Sequence, residues 1–465
     1  MSLSNIQAST PRAANATTAY DLVVVGFGTT GLSLATALAD HDPNANILFL
    51  EKQSTFTWQP AHVLPENAVR TSFLRDLVTS RNPRSRFTFI NYLHETDQLV
   101  QFTNLSQLAP SRLVMGNYFS WLAERVAEQG WVRYNSEVLR VKAAKNAQQQ
   151  VSQWQVDVRD PSGHTWSIAS KRVVLATGSK PRIPASLASP QFAGRVLHSS
   201  ASAQLLDNLK DQTIAIVGSD QEAAEIFEHV QSAGAQHRVR ATMFIPDSAL
   251  RPEENNAFIQ DIIDDRVPLS PNTTSIPPEL RTRLASTSPS SQHPRVALHT
   301  IGKLYELQYA QKIRTPNPKD WRFQLQNCCS VVSAQPAEGG QLKLVTKNEK
   351  TGETRTSERA FDVVIAAGGY EHEPSPALIS SISEAGLLEQ RGRLTVDPEY
   401  RVNFRREALV PGCGLWCLGS LEEGKVRDDA LGYAAERAHR CLKSVLAAVE
   451  KEGSGEARFG EVAML

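Results

Sequence analysis

Two short apolar runs that each lead into a glycine turn and a helical pattern, an acidic residue closing the first such unit, and two later apolar strands that read as crossings predict the fold class. It is α/β, built as two Rossmann-like dinucleotide-binding domains with a small substrate-binding region. At 465 residues, 41% hydrophobic and 21% charged, the chain can bury a large core and is too long for one ordinary core. Lys+Arg and Asp+Glu both number 49, so net charge gives no reason to expect nucleic acid or an anionic membrane as a partner. Small ligands remain.

The first unit begins with the run YDLVVV, from Tyr20 to Val25, and continues into Gly26-Phe27-Gly28-Thr29-Thr30-Gly31. A helical pattern follows, then a second apolar run from Ile47 to Leu50 that ends at Glu51. In a turn of this spacing Gly26 makes the bend and Gly28 lets backbone approach a pyrophosphate. Gly31 allows close helix–strand packing, and Glu51 can bind ribose hydroxyls. The helix N-terminus supplies donors for the phosphates. Thr29 and Lys52, next to these residues, join the candidate cofactor site. The bland alternative is a tight turn without a ligand.

Lys171 to Gly178 (KRVVLATG) reads as a strand ending at the first crossing, with Gly178 at the candidate site. The second unit opens at Thr213 and reaches the turn Gly218-Ser219-Asp220-Gln221-Glu222-Ala223, where a carboxylate stands at the middle glycine's position. Phe361 to Tyr370 reads as the returning strand. Val267 to Pro294 is rich in proline and serine without periodicity, either a surface insertion or a substrate-covering loop. A final helix is expected from Asp428 to Glu450, with fraying after Lys451. The first 19 residues lack the apolar block of a secretory signal and no run of about 18 apolar residues could span a bilayer. A disordered tail and a cytoplasmic protein follow, with a weak organellar address left open. Cys328, Cys329, Cys413, Cys417 and Cys441 have no zinc-type spacing and read as free thiols; no metal site is expected.

The run from Arg70, RTSFLRDLVTSRNPRSRFTFINYLHETDQLVQF, together with Phe56-Thr57-Trp58 and Asp247-Ser248-Ala249-Leu250-Arg251-Pro252, closely resembles the flavin-dependent N-hydroxylating monooxygenases, the ornithine and lysine hydroxylases of siderophore synthesis. The likeness runs from about Tyr20 to the last helix. It implies a tightly bound FAD in the first domain, NADPH in the second, and a small amine or amino acid plus O2 as substrates. NADPH reduces the flavin, O2 adds to give a flavin hydroperoxide, and the neutral amine attacks its distal oxygen. Trp58 and Arg70 would lie near the flavin. The implied layout is a tail at 1–19, an FAD domain at 20–185 and 360–450, an NADPH-type domain at 190–359 with the 267–294 insertion, and a tail at 451–465. A homo-oligomer, tetramer or dimer, is implied by the same likeness.

The chain departs from the family where ligands should bind. In the second turn Gly218 and Ala223 survive, but Asp220 replaces the middle glycine and Glu222 a serine, so NADPH binding is expected to weaken. Two unit charges about 4 Å apart repel by roughly 4 kcal/mol at an effective dielectric of 20. Met243-Phe244-Ile245-Pro246 carries no cation where the family has an arginine suited to a 2′-phosphate. The alternative is that this loop is displaced from the cofactor. Arg75 replaces the family's carboxylate-binding lysine, which Arg can do bidentately. Arg70 stands where a glutamine is usual. By the same resemblance, the two asparagines that grip the substrate in the family align with Gln260 and Gln292. Lys425 to Tyr433, with Arg427 as a candidate substrate residue, replaces a serine/threonine-rich stretch; it is either a re-cut pocket or surface charge at a helix start. Three readings stand: an N-hydroxylating monooxygenase with a changed substrate, for which ornithine and lysine are expected to be poor; a flavoenzyme without direct NADPH use; and a non-catalytic relative.

Overall fold

The strand Leu22–Val25 is buried along its length, and its residues alternate between two cores: Leu22 and Val24 pack on one face of a sheet, Val23 and Val25 on the other. Burial on both faces is why the run is continuously apolar. In the computed structural model the described residues are 20–58, 63–234, 237–253, 295–371, 376–384, 386–390, 394–419 and 431–452. Contacts divide the chain into two compact units. The first runs to Ser179 and resumes at residue 372; the second spans Lys180–Glu371.

The first unit is built on a parallel sheet in the order Gly414–Cys417, Arg172–Leu175, Leu22–Val25, Ile47–Leu50, Val132–Arg133. Helices Thr29–His41, Arg112–Ala127 and Ala434–Glu452 fill the core on one face, with Trp416, Tyr118 and Phe119 fully buried there. An antiparallel sheet of Glu137–Lys145, Val151–Arg159 and Thr165–Ser170 contributes Trp154 and its neighbours to the core on the other. The last helix starts later than the sequence suggests and extends to Glu452, where fraying was expected. Its end is held because the Glu452 carboxylate pairs with Lys171 and with the nearly buried Arg172.

The second unit repeats the arrangement, with the parallel order Phe323–Gln326, Arg240–Phe244, Thr213–Val217, Val363–Ala366, Val196–His198. Sequence reading assigned 180–185 and 360–371 to the first domain. In the structure they pack in the second unit, because Lys180–Pro181 pairs with Tyr370–Glu371 and Val363–Ala366 lies beside Thr213–Val217. His198 ties this edge together. The Ser200 N–H donates to its Nδ1 at 3.1 Å, which leaves Nε2–H to donate to the Gly369 carbonyl at 3.0 Å, and burial lowers the ring's pKa. The 267–294 insertion lies outside the described residues. Its neck does not: the Val296 N–H donates to the Arg251 carbonyl and the Glu253 N–H to the Val296 carbonyl, both at 2.9 Å.

Candidate cofactor sites

Each glycine of the first turn is fixed by a different constraint. Gly26 has φ +100°, and a Cβ there would lie 2.4 Å from the Ala176 carbonyl oxygen. A Cβ on Gly31 would lie 2.3 Å from the Gly26 carbonyl oxygen. The first turn, the helix behind it and the Ala176-Thr177-Gly178 segment are therefore in backbone contact. Gly28 is the opposite case. It is exposed, a Cβ on it would meet nothing within 4 Å, and as N-cap of Thr29–His41 it gives the helix no side-chain bond. The first N–H groups of a helix have no intrahelical partner, so the turn presents donors to an open space, the requirement for a phosphate.

Glu51 closes this site. Its Oε2 accepts from the Phe27 N–H at 2.8 Å and its Oε1 from the Gln53 N–H at 2.9 Å, which pins the carboxylate beside the turn. Phe27 packs edge-on to Phe49, Phe56 and Tyr134. Burial and the Glu51 charge push the Tyr134 phenol up to about 12, so it stays neutral at physiological pH. Lys52 and Arg70 are exposed, and Gly178, with φ +67°, is open to solvent. Trp58, partly buried, packs edge-on to Phe119 at 5.0 Å between ring centroids, against the edge of the core.

Arg75 ends a short 3₁₀ turn, Phe73–Arg75, capped by the Ser72 hydroxyl, which accepts from the Leu74 N–H. The next residue holds the loop. Asp76 is fully buried and accepts from the Val78 N–H at 2.9 Å, the Thr79 N–H at 2.5 Å, the Thr79 hydroxyl at 2.9 Å, the Phe89 N–H at 2.7 Å and the Tyr118 hydroxyl at 3.2 Å. Burial raises its pKa, and the donors pull it back.

In the second unit Gly218 makes the bend: a Cβ there would lie 2.5 Å from the Ala367 carbonyl oxygen. Ser219 is buried. Asp220 is the N-cap of helix Gln221–Ala233, and its Oδ1 accepts from the Ala223 N–H at 2.9 Å. Gln221 is buried and joins two helices. Its Nε2 donates to Glu225 Oε1 at 2.7 Å and to the Thr300 hydroxyl at 3.1 Å, while its Oε1 accepts from the Ala297 N–H at 2.7 Å. Ile245 is 1% exposed, so an arginine substituted there would be buried rather than presented to a phosphate.

Gln260, Gln292 and Arg427 lie outside the described residues. Of the other sequence-assigned residues, Gly26, Gly28, Thr29, Gly31 and Glu51 come together, and Gly218, Ser219 and Asp220 form the second turn. Sequence reading missed Phe27, Asp76 and Gly419. A Cβ on Gly419, φ +91°, would lie 3.3 Å from the Thr30 hydroxyl, so the loop after Gly414–Cys417 passes the start of the first helix. The only signal was a glycine just beyond an apolar strand.

The L-lysine 6-monooxygenase/L-ornithine 5-monooxygenase family matches residues 18–372. An L-ornithine N(5)-monooxygenase of Ajellomyces capsulatus is 31% identical over 452 residues, covering 95% of this chain and 93% of that protein. Among solved structures, ornithine hydroxylase PvdA from Pseudomonas aeruginosa superposes with a TM-score of 0.77 at 26% identity, covering 93% of this chain and 100% of that one. Ornithine N-hydroxylase KtzI from Kutzneria sp. 744, described as KtzI-FADred-NADP+-L-orn, reaches 0.79 at 25% identity, covering 92% and 99%.

Proposed function

Because the chain belongs to the L-lysine 6-monooxygenase/L-ornithine 5-monooxygenase family, we propose that it hydroxylates the side-chain nitrogen of a small amino acid, with L-ornithine the first substrate to test. It is a flavin-dependent N-hydroxylating monooxygenase, and FAD and NADPH are the cofactors used in the family. The observation that carries the reading is the open first turn. Gly28 leaves room for a pyrophosphate at the helix N-terminus, and the pinned Glu51 carboxylate has lone pairs left for ribose hydroxyls. Bound FAD supplies the activation of O2 from which one oxygen atom reaches the amine nitrogen.

The chain's own part is to bind and orient. Arg75 would hold the substrate carboxylate through its planar fork, and Ser72 and Asp76 fix the loop that carries it. The sequence-based expectation that ornithine and lysine are poor substrates rests on Arg75, Gln260 and the 425–433 stretch; Gln260 and residues 425–430 lie outside the described residues, and the relatives named for ornithine give the expectation no support. A cytoplasmic homo-oligomer belongs to the same proposal; among the described residues no helix is long and apolar enough to cross a membrane. A second reading, loss of direct NADPH use, is favoured by one observation: the Asp220 carboxylate sits on the second helix N-terminus.

The test is to purify the protein with its flavin, supply NADPH, O2 and L-ornithine, and analyse the amino acid by mass spectrometry. Gain of one oxygen atom on the side-chain nitrogen is expected. A flavin that oxidises NADPH while ornithine and lysine both stay unchanged would overturn the substrate assignment.

A further inference from the structure

The N-cap residues of the two dinucleotide turns share one backbone conformation. Gly28 has φ −76° and ψ −167°; Asp220 has φ −86° and ψ −179°. In each, the cap carbonyl accepts from the residue four positions on, Leu32 at 2.8 Å and Ala224 at 3.0 Å. The backbone thus places the same helix start behind both turns, and only the side chain differs. At Gly28 the space in front of the helix is open. At Asp220 the carboxylate bonds the Ala223 N–H, and Glu222 adds a second carboxylate to the first turn of the helix.

We infer that Asp220 is a specificity determinant set against the nicotinamide nucleotide: its carboxylate holds the helix-terminal N–H that a pyrophosphate would take and adds a negative charge beside it. The inference rests on the reading that the second unit takes NADPH. A pyrophosphate must displace the carboxylate from Ala223 or bind further from the helix, and either way it meets a like charge. The favourable interaction of the helix dipole with an anion is already used within the chain. Reduction of the flavin by NADPH is therefore limited by weak binding and proceeds only at high nucleotide concentration.

The experiment titrates the FAD-loaded protein calorimetrically with NADP+, which binds without reducing the flavin, and compares the unmodified chain with Asp220→Asn and Asp220→Gly. Asn keeps an acceptor and is as good an N-cap as Asp, so it removes the charge and leaves the helix intact. Asp220→Asn should bind at least about tenfold more tightly than the unmodified chain, and Asp220→Gly more tightly still, in low salt where charge effects are largest. An unmodified chain that binds at micromolar concentration and gains nothing from either change overturns the inference and leaves NADPH assigned to the second unit. If none of the three binds NADP+ while FAD is retained, the inference falls together with that assignment, and the reading of the first unit stands.

Discussion

Gly26 and Gly218 make the same bend in two different sheets, each against a carbonyl oxygen of the neighbouring strand's end, Ala176 in one unit and Ala367 in the other. Two residues further on, the turns part: one leaves its helix end bare, the other covers it with a carboxylate. The difference shows that this fold sets two properties at separate positions. The bend and the helix contact, which hold the βαβ unit together, depend on the first and last positions of the motif. What the helix end leaves open to a ligand depends on the middle one.

The comparison breaks most sharply if the bare turn is given the covered turn's residue. Gly28→Asp should cost FAD binding about 4 kcal/mol, near a thousandfold, by the repulsion of unit charges about 4 Å apart. The ratio of flavin to protein absorbance after gel filtration measures it, and full occupancy would mean that phosphate does not approach Gly28. The shared half of the comparison is tested by Gly26→Ala and Gly218→Ala. Each puts a methyl within 2.5 Å of a carbonyl oxygen. Each should lower stability by roughly 3 kcal/mol, read from the urea midpoint. Unequal losses would show that one turn relaxes where the other cannot.

The smallest effect belongs to the cap. Asp220→Ala should lose about 1 kcal/mol of stability and Asp220→Gly only a few tenths, since a glycine cap leaves its N–H groups open to water. A melting temperature unchanged by Asp220→Ala would remove the cap bond as a reason for an acid at this position.

Legibility followed the range of the interactions. The glycine turns and Glu51 are local in sequence, and their spacing shows their geometry. The buried strands announce themselves as apolar runs because both faces are covered. Asp220 was legible in part: its charge at a phosphate position is plain, but an Asp just before a helical pattern is also an N-cap, and the bond to Ala223 is the side of the residue that the motif comparison passed over. Asp76 was not legible at all. Val78 and Thr79 are local donors, but Phe89 and Tyr118 stand 13 and 42 residues away, and only folding brings them to the carboxylate. The end of the last helix is similar: Glu452 is held by Lys171 and Arg172, some 280 positions upstream, partners that no local signal at the helix end announces.

The short bridge at Pro252 and Val296 bears on how this chain can change length over generations. Its two hydrogen bonds bring the chain back to where it left, so Arg240–Phe244 and Leu298–Arg314 are positioned independently of how many residues stand between Glu253 and Arg295. The neck is thus a fixed frame from which the chain leaves and to which it returns, so a change of length between Glu253 and Arg295 is expected to leave the register of the second sheet intact.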